Sequence, residues 1–134
     1  MYLLDTDTLS NLMKLAPSDR LLDRIASAGP GDLFTSSITI GEIVYGAYRA
    51  ARTSEHLSHL ERALLRHINV VPFDEETAHR YGELRALLER TGGPIGDPDT
   101  RIAATALVMG FIVVTGNVRH FQQVPGLSVE NWLA

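Results

Sequence analysis

A chain of 134 residues with 45% hydrophobic and 21% charged content has the size and composition of one globular domain that folds around one core without a staple. It contains no cysteine, which excludes disulfides, thiolate metal sites and cysteine nucleophiles; that is compatible with a reducing compartment, so a cytoplasmic location is expected. The net charge of −4 argues against a plain nucleic-acid binder, Met1-Tyr2-Leu3-Leu4-Asp5 turns acidic too early for an export signal, and the longest apolar run, Ile102 to Val114, is shorter than the roughly 20 residues of a membrane span.

Tyr2 to Leu4 reads as a short buried strand, followed by a helix from Thr6 to Leu15 with Asp7 or Thr8 available as its cap. Ser18 opens a second helix whose Leu21, Leu22, Ile25 and Ala26 form one apolar stripe, stopped at Gly29-Pro30-Gly31. Leu33 to Thr35 is the second strand. A helix from Thr39 to Ala50 and another from Ser54 to His67 follow, the latter with Leu57, Leu60, Ala63 and Leu64 at helical spacing. Val70 to Phe73 is the third strand. Glu75 to Arg90 is a long amphipathic helix ended by Gly92-Gly93-Pro94, a further helix starts at Asp97, Ile112 to Thr115 is a strand, and Leu127 to Val129 is a candidate edge strand. Strands separated by helices predict an α/β fold, with a central, mostly parallel sheet of four to five strands flanked by helices.

Acidic residues recur where strands hand over to helices or turns: Asp5 and Asp7, Glu42, Asp97 and Asp99, then polar Asn117. In an open α/β sheet those positions converge on the crevice beyond the carboxyl ends of the strands. Asp5 directly follows an apolar run, where a charge is desolvated unless paired or bound to metal, whereas Asp7 is also a good helix cap. Glu42 has apolar neighbours on both sides and stands between Gly41 and Gly46; pairing with a buried arginine is the alternative explanation. Gly96-Asp97-Pro98-Asp99 opens a helix, with Asp97 expected as cap, Pro98 at the first helical position, and Asp99 as the metal candidate. Asn117 ends the last strong strand and offers a carbonyl to a water on the metal, although Gly-Asn is also a common turn pair. His56 and His59 are expected on an exposed helix face, and His120 at the surface with a substrate phosphate in reach.

Two unit charges about 4 Å apart interact by roughly 4 kcal/mol at an effective dielectric near 20, so clustered carboxylates require a divalent cation. All-oxygen donors favour Mg²⁺ or Mn²⁺ over zinc. Removing Asp5, Asp7, Glu42, Asp97 and Asp99 from the balance changes it from −4 to +1, so phosphate binding is again allowed. Eleven of the twelve basic residues are arginines, Lys14 being the exception, and arginine suits bidentate phosphate contacts.

Four stretches together resemble the PIN-domain ribonucleases, and among them the VapC-type toxins of type II toxin–antitoxin modules: Leu-Leu-Asp5-Thr; Ser-x-Ile-Thr-Ile-Gly-Glu42-Ile-Val-Tyr-Gly; Pro-Ile-Gly-Asp-Pro-Asp99-x-x-Ile-Ala-Ala; and Val-Val-Thr115-Gly-Asn117-x-x-x-Phe121. The closing Gly126-Leu127-x-Val129-x-x-Trp132 is similar too, so the resemblance spans residues 1–134 as one PIN-like nuclease domain. It implies Asp5 and Asp99 as principal metal ligands, Glu42 as a further acidic member, Asn117 in the fourth position, and Asp7, Glu42 and Asp97 as secondary ligand candidates. Position 7 is often Asn in such toxins and the fourth acid often Asp, so a negative charge has moved within the site. The resemblance further implies endoribonuclease action on structured RNA of the tRNA or rRNA class, homodimerisation, and inhibition by a VapB-like antitoxin laid along the first helices, with Leu9, Leu12 and Met13 as contacts.

Two other readings compete. Asp5-Thr6-Asp7 with Gly96-Asp97 resembles the acidic motifs of haloacid-dehalogenase-type phosphatases, which also want a lysine between those motifs; the one lysine, Lys14, comes right after the first. A PIN-fold binding or regulatory protein without catalysis is the other, and Asn117 is the feature that permits it.

Overall fold

Leu3 and Leu4 point to opposite faces of the first strand and both are fully buried, so this strand must lie between two layers of helix. The computed structural model describes residues 1–29 and 31–134; the side chains of Ala63 and Leu64 also lie outside the described set. The expected Gly29-Pro30-Gly31 stop and the apolar stripe through Ala63 and Leu64 therefore fall partly outside the described residues. The elements are β1 (Tyr2–Leu4), α1 (Thr6–Leu12), α2 (Asp19–Ser27), β2 (Leu33–Ser36), α3 (Ser37–Arg49), α4 (Thr53–His59), β3 (Asn69–Val71), α5 (Glu75–Arg90), α6 (Asp97–Met109), β4 (Ile112–Val114), α7 (Val118–Phe121) and β5 (Val129–Glu130).

All strand pairs are parallel, in the order β3-β2-β1-β4-β5, with Leu4 level with Thr35 on one side and Val114 on the other. The α/β expectation of four to five parallel strands is met. On one face Leu3 and Val113 pack with Leu84, Leu88 and Ile102 of α5 and α6. On the other, Leu4 and Val114 pack with Leu9, Leu21 and Ile43 of α1 to α3 and with Trp132. The chain leaves β1 toward β2 and β3, then returns to the far side of β1 with β4. The strand order thus reverses beside β1, and a crevice opens beyond the carboxyl ends of β1 and β4, where such folds bind ligands.

Several boundaries differ from the sequence expectation for identifiable reasons. The first helix ends at Leu12 rather than Leu15, and Leu15 is fully exposed. Pro17 disfavours helix at the residue before it, and Asn11 accepts a bond from the Ser18 N–H that turns the chain away. Instead of one helix from Ser54 to His67, α4 passes into a π-helical turn, Leu60–Leu64, closed by the Leu65 N–H donating to Leu60 O at 3.1 Å. β3 stops at Val71 because Pro72 has no N–H for the ladder, and the Phe73 N–H donates to Ser37 Oγ instead. The edge strand begins at Val129, since the Leu127 N–H is spent in a turn on Val124 O. Helix α7 has no signature in the sequence, because four residues are too few to show a helical period.

Candidate functional site

Asp5 is the first residue beyond β1. Its N–H donates to Val114 O at 3.0 Å, which stitches it to β4, while its carboxylate accepts from the Thr8 N–H at 2.9 Å and so caps α1. The cap is therefore Asp5 and neither Asp7 nor Thr8; the Thr8 hydroxyl donates to Val114 O at 3.0 Å. The Asp5 side chain is buried, and this desolvation pushes its pKa up to about 6, against the lowering effect of hydrogen bonds from Thr115 and Thr8 and with a further push from the charge of Asp7. Asp7 itself is exposed on the first turn of α1.

Asp99 stands in the first turn of α6, and the charge of Asp7 acts on both Asp5 and Asp99, which sets the two carboxylates on either side of it. The Asp99 carboxyl pKa is raised, first by burial, with a smaller contribution from Asp7, and is held back by His120. His120 Nδ1 stands 3.3 Å from Asp99 Oδ2, and its side chain is only 45% exposed, so the histidine expected at the surface belongs to the site. It arrives on α7, the helix whose existence the sequence did not announce. Asn117 is half-buried at the end of β4, where its backbone N–H donates to the Thr115 hydroxyl at 2.9 Å.

Glu42 lies one turn into α3, which Ser36 caps by accepting from the Thr39 N–H at 3.1 Å. No arginine pairs with it among the described residues. Its partner is Thr6, whose hydroxyl donates to Glu42 Oε1 at 2.6 Å across the mouth of the crevice. Beside this pair opens a cavity of about 340 Å³ with Met13, Ile43 and Ala47 as its apolar side and Lys14, His56 and His59 as its polar side. Thr6, Thr8 and Thr115 are the site residues that sequence reasoning missed. Their one signal is adjacency to Asp5, Asp7 and Asn117.

Asp97 is elsewhere. It is the first residue of α6 rather than its cap, which is Gly96, and Pro98 follows at the second helical position. Its carboxylate accepts from Tyr81 and Arg101 and lies 3.7 Å from Arg85, and these partners, Tyr81 first, hold it below the usual carboxylate range. Asp97 and Asp99 are about 200° apart around the helix at 3.6 residues per turn, so they serve different sides.

Among the described residues no three histidine, aspartate or glutamate side chains stand close enough to hold a metal ion by themselves. Two carboxylates do suit one. Asp5 is buried with threonine partners and no cation among the described residues, and Asp99, partnered by His120, offers a second carboxylate. Mg²⁺ keeps several of its waters and needs only one or two carboxylates, so the donor set fits.

The model of the PIN domain family matches residues 2–127. The chain belongs to the PIN domain family. Its relatives include VapC proteins: the tRNA(fMet)-specific endonuclease VapC of Salmonella typhimurium is 34% identical over 98% of this chain and 97% of its own, and Ribonuclease VapC2 of Haemophilus influenzae 33% identical over 98% of both. A crystal structure of DNA-bound VapBC from Salmonella typhimurium superposes with a TM-score of 0.90 at 33% identity, covering 98% of this chain and 97% of that one. This is a VapC-type PIN domain, of a family whose nucleases use divalent metal ions. No helix among the described residues is long and apolar enough to cross a membrane.

Proposed function

We propose that this chain, one PIN-like nuclease domain over residues 1–134, is a metal-dependent endoribonuclease and the toxin of a VapBC-like toxin–antitoxin pair. It cleaves structured RNA of the tRNA or rRNA class, in the cytoplasm, as a homodimer restrained by a VapB-like antitoxin. The observation that carries this reading is Asp5: a buried carboxylate with threonine partners at the strand-order reversal, with Asp99 of α6 under the same charge of Asp7.

Asp5 and Asp99 would hold Mg²⁺ or Mn²⁺, with Glu42 and Asn117 as the other members of the site and Asp7 lending charge from the rim. When bound, such an ion would lower the pKa of a coordinated water and offset the charge of the phosphate. Thr8 and Thr115 orient the Asp5 carboxylate, Thr6 fixes Glu42, and His120 fixes Asp99. Asp97 is not a ligand in this reading, because Tyr81, Arg85 and Arg101 already engage it. The same contact removes the later acidic motif that the phosphatase reading needs. Leu9 is core and out of a partner's reach; Leu12 and Met13 are half-buried, and Met13 lines the cavity where an antitoxin segment would pass.

The test is cleavage of total cellular RNA by purified wild-type protein and Asp99→Asn, with Mg²⁺ or Mn²⁺ and then with chelator. Discrete fragments that need both the ion and Asp99 are expected. Fragments that persist in the variant would sink the metal-site reading, and an absence of fragments under every condition, with partner binding intact, would favour the silent scaffold.

A further inference from the structure

Asp99 rides on the first turn of α6, and that turn lacks the usual anchor. Gly96 at its cap has no side chain with which to bond the turn, and its φ of 92° leaves the entering backbone in a region that other residues rarely adopt. The anchor comes from the next residue. Asp97 accepts the Tyr81 hydroxyl of α5 and, at 2.8 Å, the Nε of Arg101 one turn further along α6. Arg85 of α5 donates to the Tyr81 hydroxyl at 3.0 Å and stands 3.7 Å from Asp97. The Arg101 guanidinium in turn lies over two rings, 4.5 Å from the centre of Tyr81 and 5.3 Å from that of Phe73, and the rings meet edge to face at 6.0 Å.

An isolated surface ion pair contributes little to fold stability. Here one carboxylate, two arginines and two rings from three segments share contacts, so the place of Asp97 is fixed by several bonds at once. α5 and α6 are tied together at the turn that carries Asp99 on its other side. We propose that Tyr81, Asp97 and Arg101 are positioning residues for Asp99: they dock the first turn of α6 on α5 and thereby set where the Asp99 carboxylate stands relative to Asp5. This inference rests on the metal-site reading above. A small divalent ion demands near-ideal geometry, so a loosened turn shows first in affinity for the ion, at sites that never touch it.

The experiment is a Mn²⁺ titration of purified full-length protein, reading free Mn²⁺ by electron paramagnetic resonance, for wild type, Tyr81→Phe, Arg101→Gln and Arg101→Lys. Leu65→Ala serves as a control for general destabilisation, since Leu65 is half-buried against the core on the other face of the sheet. Tyr81→Phe and Arg101→Gln are expected to bind Mn²⁺ several-fold more weakly, less than the roughly 10–100-fold lost with direct partners of metal ligands, because they act on Asp99 only through the turn. Arg101→Lys keeps the charge but loses the planar fork, so partial recovery is expected. Leu65→Ala should melt earlier and bind Mn²⁺ as wild type does. RNA cleavage by the Tyr81 and Arg101 variants should need more Mn²⁺ for half-maximal rate and approach the wild-type rate at saturation. Wild-type Mn²⁺ affinity in both Tyr81→Phe and Arg101→Gln would overturn the positioning role, even if melting or RNA binding changed. Wild-type protein that binds no Mn²⁺ would overturn the metal-site reading and this inference with it.

Discussion

The Thr6 hydroxyl lies 2.6 Å from Glu42 Oε1 and 3.3 Å from Thr39 Oγ1, so one small side chain ties α1 to α3 across the mouth of the crevice. A hydrogen bond to a charged acceptor contributes about 1.5–3 kcal/mol when its loss leaves the acceptor unpaired. Thr6→Val keeps the shape and removes the donor. RNA cleavage is expected to fall about tenfold, equivalent to ~1.4 kcal/mol, with stability reduced by about 1.5 kcal/mol, the low end of that range because Glu42 is only half-buried. Thr6→Ser, which restores the hydroxyl, should recover most of the rate. Single-turnover cleavage alongside thermal melting measures both, and an unchanged rate in Thr6→Val would remove Glu42 from the working site.

That bond also marks where sequence reading stops. The Glu75–Arg90 helix, the β1, β2 and β4 strands and the parallel sheet were legible because apolar spacing and strand-to-helix alternation are local signals. Asp5, Asp99 and Asn117 stand out in sequence because each lies at or just beyond such a transition, and Glu42 because it is a charge with apolar neighbours on both sides. Their partners were not legible. Thr6 meets Glu42 over 36 positions and Asp99 meets His120 over 21, and neither a threonine nor a histidine declares in sequence which carboxylate it will face. The caps are illegible for a related reason: Asp5 and Gly96 each stand one or two residues before the acids that composition favours, and only backbone direction decides between them.

Gly96 offers a test confined to backbone geometry. An added Cβ meets nothing within 4 Å, so crowding is no obstacle, yet the φ of 92° remains strained for alanine. Gly96→Ala is expected to lower stability by about 1–2 kcal/mol and to weaken Mn²⁺ binding, because relief of the strain moves the turn that carries Asp99. Chemical denaturation and Mn²⁺ titration would show the two effects together. Loss of stability with unchanged ion affinity would mean that the turn holds its place without the glycine.

His120 draws the Asp99 pKa down while burial draws it up. In His120→Ala the opposing contribution is gone, so the Asp99 carboxyl holds its proton to higher pH. Bound metal competes with that proton. The variant is therefore expected to lose more Mn²⁺ affinity at pH 6 than at pH 8 relative to wild type. Titrations at the two pH values decide it, and an equal loss at both would assign His120 a role away from Asp99.

Asp5 links stability and function with opposite signs. Its pKa rises from 3.8 to about 6 on folding, so between those values the folded state binds more protons than the unfolded state does. Stability of the metal-free protein from this group is therefore highest below pH 3.8, falls as pH rises, and has been lost once pH passes about 6. The full span is on the order of 3 kcal/mol, since each tenfold change in proton affinity is worth about 1.36 kcal/mol. Asp5→Asn keeps the shape and can still accept the Thr8 N–H, so it caps α1 without a buried charge. In chelator at pH 7.5 the variant is expected to melt several degrees above wild type, by up to about 3 kcal/mol, and to show a flatter dependence on pH between 4 and 7. Added Mn²⁺ should reverse the order: wild type gains about 2.7 kcal/mol at a hundred times its dissociation constant while the variant gains little. The variant should also cleave no RNA. Thermal melts with chelator and with Mn²⁺, across that pH range, measure both signs. An Asp5→Asn protein less stable than wild type in chelator would mean that the aspartate serves the fold, and that its burial is not strain awaiting a cation.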